Sequence, residues 1–244
     1  MWWVAAAAVW GAAAGCLIRP ALYRLSVPAG TPWRSTCPNR HPLSSGIRGW
    51  LTGPCCHTGP HRHAAGRWQI AAPTATLLVC ALLATVTGPH RELLAWLLLT
   101  PPSILLALVD ASVHRLPDAL TLPLAGAALA LLAIASRLPD AHGSWTTALL
   151  GAATLASAFS LMFLISPRSM GFGDVKLALT IGAVLGWYGW MTLLLGFMAG
   201  YLIAAAHGIA LLARGKTTGE TPLPFGPSLL LGALVGVALG ALRA

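Results

Sequence analysis

Apolar stretches about as long as a bilayer is thick recur along this 244-residue sequence, at residues 2–18, 69–87, 93–110, 119–136, 145–166, 176–188, 190–212 and 226–242. A hydrocarbon core of about 30 Å is crossed by roughly 20 apolar residues in helical form. Backbone groups in lipid must pair within their own segment, so runs this continuously apolar have to be helices and not barrel strands. With 57% hydrophobic and 9% charged residues the composition lies outside the soluble range. The expected fold is an all-α, polytopic membrane helix bundle of about eight transmembrane helices.

A net charge of +9 in a soluble protein would suggest nucleic acid. Its placement argues otherwise. Arg19, Arg24, Arg34, Arg40, Arg48, Arg62 and Arg67 share the 19–68 connection, which has no acidic residue. Basic loops of this kind stay on the cytoplasmic side. With the amino terminus outside and eight crossings, twelve of the fifteen Lys and Arg residues fall inside, leaving Arg91, Arg137 and Arg243 outside. The partner implied is the lipid bilayer and not nucleic acid. The first stretch lacks a positive leader and a cleavage pattern, so it reads as a retained span. The run Gly186-Trp187-Tyr188-Gly189-Trp190 reads as a tight external turn, because Trp and Tyr favour the membrane interface.

The chain thus divides into a first transmembrane helix (1–18), a basic Cys/His-containing cytoplasmic loop (19–68) and a seven-helix membrane domain (69–244). Too few apolar residues occur in the loop to bury a core of its own, so it is stapled by metal, packed on the membrane domain, or irregular. Cys16 and Cys80 lie in apolar stretches and read as small buried hydrophobes. Cys37, Cys55 and Cys56 lie in the loop, on a reducing side where disulfides do not persist and metal is the competing role.

Chemistry is most legible in the acids, of which there are only six: Glu92, Asp110, Asp118, Asp140, Asp174 and Glu220. Glu92 and Asp140 in short external turns, and Glu220 in the polar 213–225 loop, are expected to be solvated. Asp110 ends an apolar run at the membrane edge, where an ionisable group is costly unless it faces a cavity or partner. Asp174 lies in Met170-Gly171-Phe172-Gly173-Asp174-Val175-Lys176, where the glycines allow close backbone approach and unusual dihedrals. Asp118 follows Leu116-Pro117 and heads a span, where a helix cap is its expected role. Asp110, Asp118 and Asp174 all fall at the cytoplasmic membrane face in this topology. Two adjacent carboxylates ionise unequally, giving an acid and a base that together can activate water against a peptide carbonyl.

Three blocks in order resemble the bacterial type IV prepilin peptidase family of membrane aspartyl proteases. They are DASVHRLPDALTLP from Asp110 to Pro123, GFGDVK from Gly171 to Lys176, and PFGP from Pro224 to Pro227. The first span and Tyr23-Arg24-Leu25 are also similar to the family's amino-terminal helix. The resemblance implies catalytic roles for Asp110 and Asp174, with Gly171, Gly173 and Lys176 shaping the second site. It also implies cleavage of the leader of membrane-inserted prepilin-like substrates at the cytoplasmic membrane face, with no cofactor for proteolysis.

The loop departs from that pattern. Bifunctional members carry two C-x-x-C pairs there, associated with zinc, and methylate the new amino terminus with S-adenosylmethionine. Here Arg40 stands in place of the second cysteine after Cys37, and Cys55 and Cys56 are adjacent, followed by His57, His61 and His63. A rearranged Cys/His zinc site and an unmetallated loop both remain open, and the case for methyl transfer is weakened. The rival function is a small proton-coupled transporter, which would hold its carboxylates near mid-bilayer on broken helices. An inactive scaffold is a third reading.

Overall fold

The computed structural model describes residues 1–28, 30–37, 40–43, 46–51, 66–139, 141–167, 171–215 and 224–243. Among them are ten helices: α1 (Trp2–Leu17), α2 (Arg19–Leu25), α3 (Gly46–Leu51), α4 (Gly66–Thr87), α5 (Glu92–Val113), α6 (Asp118–Ala135), α7 (Trp145–Ile165), α8 (Phe172–Gly186), α9 (Trp190–Ala213) and α10 (Gly226–Ala241). The chain is a multi-pass helical membrane protein. Six segments are long and apolar enough to cross a bilayer: α1 continued by α2, α4 from Ile70, α5, α6, α7 and α9. At the sixth and eighth expected spans stand the shorter helices α8 and α10, so length and hydropathy alone support six crossings among the described residues and leave the count of eight unconfirmed.

The short α8 is the inner element of the bundle. Its residues Leu177, Ala178, Ala183 and Leu185 are fully buried, and it packs on α6, α7, α9 and α10. Contact with α7 is backbone to backbone, since a Cβ on Gly182 would stand 2.4 Å from the Gly151 carbonyl oxygen. The α9–α10 seam is equally close, a Cβ on Gly232 falling 2.3 Å from the Gly200 nitrogen. Lipid tails are as apolar as leucine, so helices associate in a bilayer through such close packing.

Helix α5 crosses the bundle carrying Pro101 and Pro102. Proline at 101 has no N–H to donate to the carbonyl of Leu97. The indole N–H of Trp10 in α1 donates to that oxygen instead, at 3.0 Å. Within the 19–68 segment, α2 packs on the membrane bundle: Leu22 and Leu25 are buried against Leu105 and Val109 of α5, with Ile18 and Trp50 alongside. Arg24 lies 5.1 Å above the Trp50 ring.

Two residues expected at the surface are inside. Trp187 is fully buried, and Gly143 packs so tightly on its ring that a Cβ there would come within 2.3 Å. Only Trp190 of the aromatic turn is well exposed, while Gly189 turns the chain at φ +99°. Glu92 is 2% exposed, not solvated. Its carboxylate accepts hydrogen bonds from the Tyr188 hydroxyl at 2.9 Å and from the backbone N–H of His142 at 3.2 Å. Tyr188 in turn accepts from the Trp96 indole at 3.3 Å. A carboxylate can be buried when donors replace its water, and Glu92 joins α5, the α6–α7 connection and the α8–α9 turn in that way.

Candidate active site

The opposite end of the bundle gathers the end of α5 and the starts of α6, α8 and α10. Helix α5 stops where His114 adopts a left-handed conformation, φ +52°, and its N–H donates to the Asp110 carbonyl at 2.8 Å. That leaves Asp110 in the last turn, a buried residue only 5% exposed. One carboxylate oxygen, Oδ2, accepts the backbone N–H of Gly226 at 3.0 Å. Gly226 opens α10 and Pro227 follows it without a donor of its own, so Asp110 takes an otherwise unpaired N–H at the positive end of a helix. A Cβ on Gly226 would lie 2.8 Å from Oδ2, so this approach requires glycine. Gly226 was missed as a site residue in the sequence. Its signal is the Gly-Pro pair that opens an apolar helix.

Asp174 sits in the first turn of α8, after Gly171 as N-cap and Phe172 and Gly173 as the first helical residues. The Gly171 backbone N–H lies within hydrogen-bonding reach of its carboxylate. Asp110 and Asp174 are within electrostatic reach of each other. The two motif glycines differ in role. A Cβ on Gly173 would fall 2.8 Å from the Leu116 Cβ, which ties GFGDVK to the LPD block, whereas Gly171 has ordinary extended dihedrals, φ −75° and ψ 142°. The unusual backbone expected at this motif is therefore not present at Gly171; close packing at Gly173 is.

Asp118 is the first residue of α6, one position after the N-cap Pro117. It pairs instead with Lys176, Oδ2 to Nζ at 2.6 Å, with side-chain exposures of 65% for Asp118 and 14% for Lys176. Lys176 also lies 4.7 Å over the Phe172 ring. The LPD and GFGDVK blocks are thus clasped twice, by Leu116 on Gly173 and by Asp118 on Lys176. All three sequence blocks meet at this end of the bundle.

The type IV leader peptidase family matches residues 93–211, which include both aspartates. The leader peptidase HopD of Salmonella typhimurium is 37% identical over 136 residues, covering 54% of this chain and 84% of that protein. The prepilin leader peptidase/N-methyltransferase of Aeromonas hydrophila is 32% identical over 228 residues, 89% of this chain and 74% of that one. Its counterpart in Pseudomonas aeruginosa is 31% identical over 237 residues, 91% and 75% respectively. The chain belongs to the type IV leader peptidase family. No solved structure matches it. As a member of that family it is a protease, and the PFGP block, with the N–H that meets Asp110, lies beyond the matched segment.

For the zinc discussed above, Cys37 and His41 offer two donors, Sγ and Nδ1, 3.7 Å apart. Tetrahedral zinc takes four ligands, and no group of three or more metal-ligating side chains occurs among the described residues. Cys55, Cys56, His57, His61 and His63 lie outside the described residues, as do Asp140 and Glu220.

Proposed function

We propose that this leader peptidase family member is an intramembrane aspartyl endopeptidase that removes the leader of prepilin-like membrane proteins at the cytoplasmic face. One observation carries the reading: in a chain with six acidic residues, Asp110 and Asp174 share one end of the bundle, each beside a helix start, within electrostatic reach. Two carboxylates so placed hold one proton between them. The charged member takes a proton from water as its oxygen bonds to the scissile carbonyl carbon, while the protonated member donates to the carbonyl oxygen. Collapse of the tetrahedral intermediate breaks the C–N bond, and the leaving amine takes up a proton from the pair. The N–H of Gly226 holds one oxygen of Asp110 in place throughout. No step passes through a metal, and N-methylation of the new terminus is no part of this reading. The arginine-rich 19–68 segment supports a cytoplasmic location for this end.

The geometry does not favour the transporter. The four described acids stand at helix ends, Glu92, Asp118 and Asp174 in first turns and Asp110 in a last turn, and not at mid-helix.

Co-expression with a prepilin-like substrate tests the proposal. Mass measurement should find the leader removed, with the rate in membranes following a bell-shaped pH profile whose two apparent values belong to the pair. An intact leader in cells that hold the folded protein would overturn it.

A further inference from the structure

The two aspartates are alike in their nearest donors. Each has a backbone N–H at a helix start, Gly226 for Asp110 and Gly171 for Asp174. The charges around them are not alike. His114, the residue that ends α5, lies within electrostatic reach of Asp110, whereas the charge that acts on Asp174 is Asp110 itself. Helices that end in a left-handed residue most often use glycine or asparagine there, and this one uses histidine, at φ +52° and ψ +45°. Its N–H closes the last turn on the Asp110 carbonyl, which anchors His114 one helical turn beyond the aspartate. His114 is exposed and so exchanges protons with water, and the negative end of α5 favours its cation. Cations on the adjoining elements are turned elsewhere. On α2, Arg19 donates to the Cys16 carbonyl and Arg24 lies over the Trp50 ring. Arg115 donates to the Pro28 carbonyl at 3.3 Å, and Lys176 on α8 pairs with Asp118 on α6.

We infer that His114 is a positioning residue for the proton of the aspartate pair: its cation keeps Asp110 as the charged member, the base, and leaves the shared proton on Asp174, the acid. The inference rests on the peptidase reading and adds to it which aspartate does what. A cation beside one of two coupled carboxylates favours the charged form of the nearer one. Water then gives its proton to Asp110 as its oxygen bonds to the carbonyl carbon, and Asp174 gives its proton to the carbonyl oxygen. On collapse the leaving amine takes the proton from Asp110, and the re-forming carbonyl returns one to Asp174. Histidine is the side-chain type whose charge changes between about pH 5 and 8, so this division of labour weakens as the imidazole loses its proton.

The test compares wild-type protein, His114→Asn and His114→Lys, each as the full chain in lipid nanodiscs. Asparagine keeps the left-handed cap without the charge, and lysine keeps a charge. His114→Asn should move the acid limb of the cleavage profile to higher pH by about half a unit, the size expected of an exposed charge, while the thermal midpoint holds. His114→Lys should return the limb to its wild-type position. Loss of a merely structural residue would lower the rate at every pH without moving the limb. Infrared titration in the Asp174→Asn background reads Asp110 without cleavage, through a protonated-carboxyl band identified by its absence when Asp110→Asn is added. That band should persist to higher pH in His114→Asn by the same amount. An infrared shift in protein that cleaves no prepilin-like substrate would retain the action of His114 on Asp110 and reject the peptidase reading. No infrared shift, an acid limb that stays in place in cleaving protein, or a shift that lysine fails to reverse would overturn the inference.

Discussion

The two ends of this bundle each bury a carboxylate, and they treat it differently. At one end Glu92 receives a donor on each oxygen, from Tyr188 and from the His142 backbone, and these donors come from two connections that it thereby holds to α5. At the other, Asp110 receives the backbone N–H of Gly226 and lies within electrostatic reach of a second carboxylate, Asp174. An acid whose oxygens are both satisfied by the protein is a structural joint. Acids that share a site with a like charge and keep bonding capacity unused can hold and move a proton. Burial alone does not separate structural from reactive carboxylates. The number and kind of their partners does.

The largest expected effect tests that contrast directly. Asp110→Asn or Asp174→Asn should lower leader cleavage by about 10³-fold or more, because an amide cannot accept or share the proton, and should leave the thermal midpoint in detergent nearly unchanged. Glu92→Leu should do the reverse: it strands two buried donors and should destabilise the fold by about 2–4 kcal/mol, while cleavage per folded molecule stays at the wild-type level. Cleavage assays paired with thermal melts decide it, and an active Asn variant or a stable Glu92→Leu protein would break the comparison.

A smaller effect sharpens it. Gly226→Ala places a Cβ 2.8 Å from Asp110 Oδ2, which must move that carboxylate without altering its chemistry. Displacements of about 1 Å in an active site cost about 10²-fold, so kcat should fall by that order while substrate affinity holds. Wild-type kcat in this variant would mean that the position of Asp110 does not matter.

The smallest effect belongs to the clasp. The Asp118 partner of Lys176 is largely exposed, and exposed ion pairs contribute about 0–1 kcal/mol. Asp118→Asn should therefore slow cleavage only a few-fold, and raised salt should bring wild-type protein toward the same rate, since screening weakens such a pair. A loss as large as that of Asp110→Asn would move Asp118 into the reacting pair.

The sequence announced the helices and the scarce acids, because a continuous apolar run and a lone Asp at its edge are local facts. Seven of the expected spans coincide with helices to within a few residues, and the remaining one, the sixth at 176–188, begins earlier as α8. What it did not announce are pairings across distance. Asp118 reads as a cap until Lys176, remote in sequence, is brought beside it. Glu92 reads as solvated because no local pattern reveals that Tyr188 and His142 converge on it. Trp187 reads as an interfacial anchor, yet the space left by Gly143 draws it inward. Each misreading came from applying a surface rule to a residue whose neighbours are set by helix packing.

The hydrogen bond between Asp110 and Gly226 joins residues 116 positions apart. Chains are made from the amino terminus and their parts fold as they emerge, so both aspartates are in the membrane before the N–H that positions one of them exists. A ribosome-bound chain halted before α10 would hold the acids without the group that orients them. On the proposed mechanism, proteolysis would therefore wait for α10 to be in place, and the hazard of an assembling membrane protease would be deferred until then.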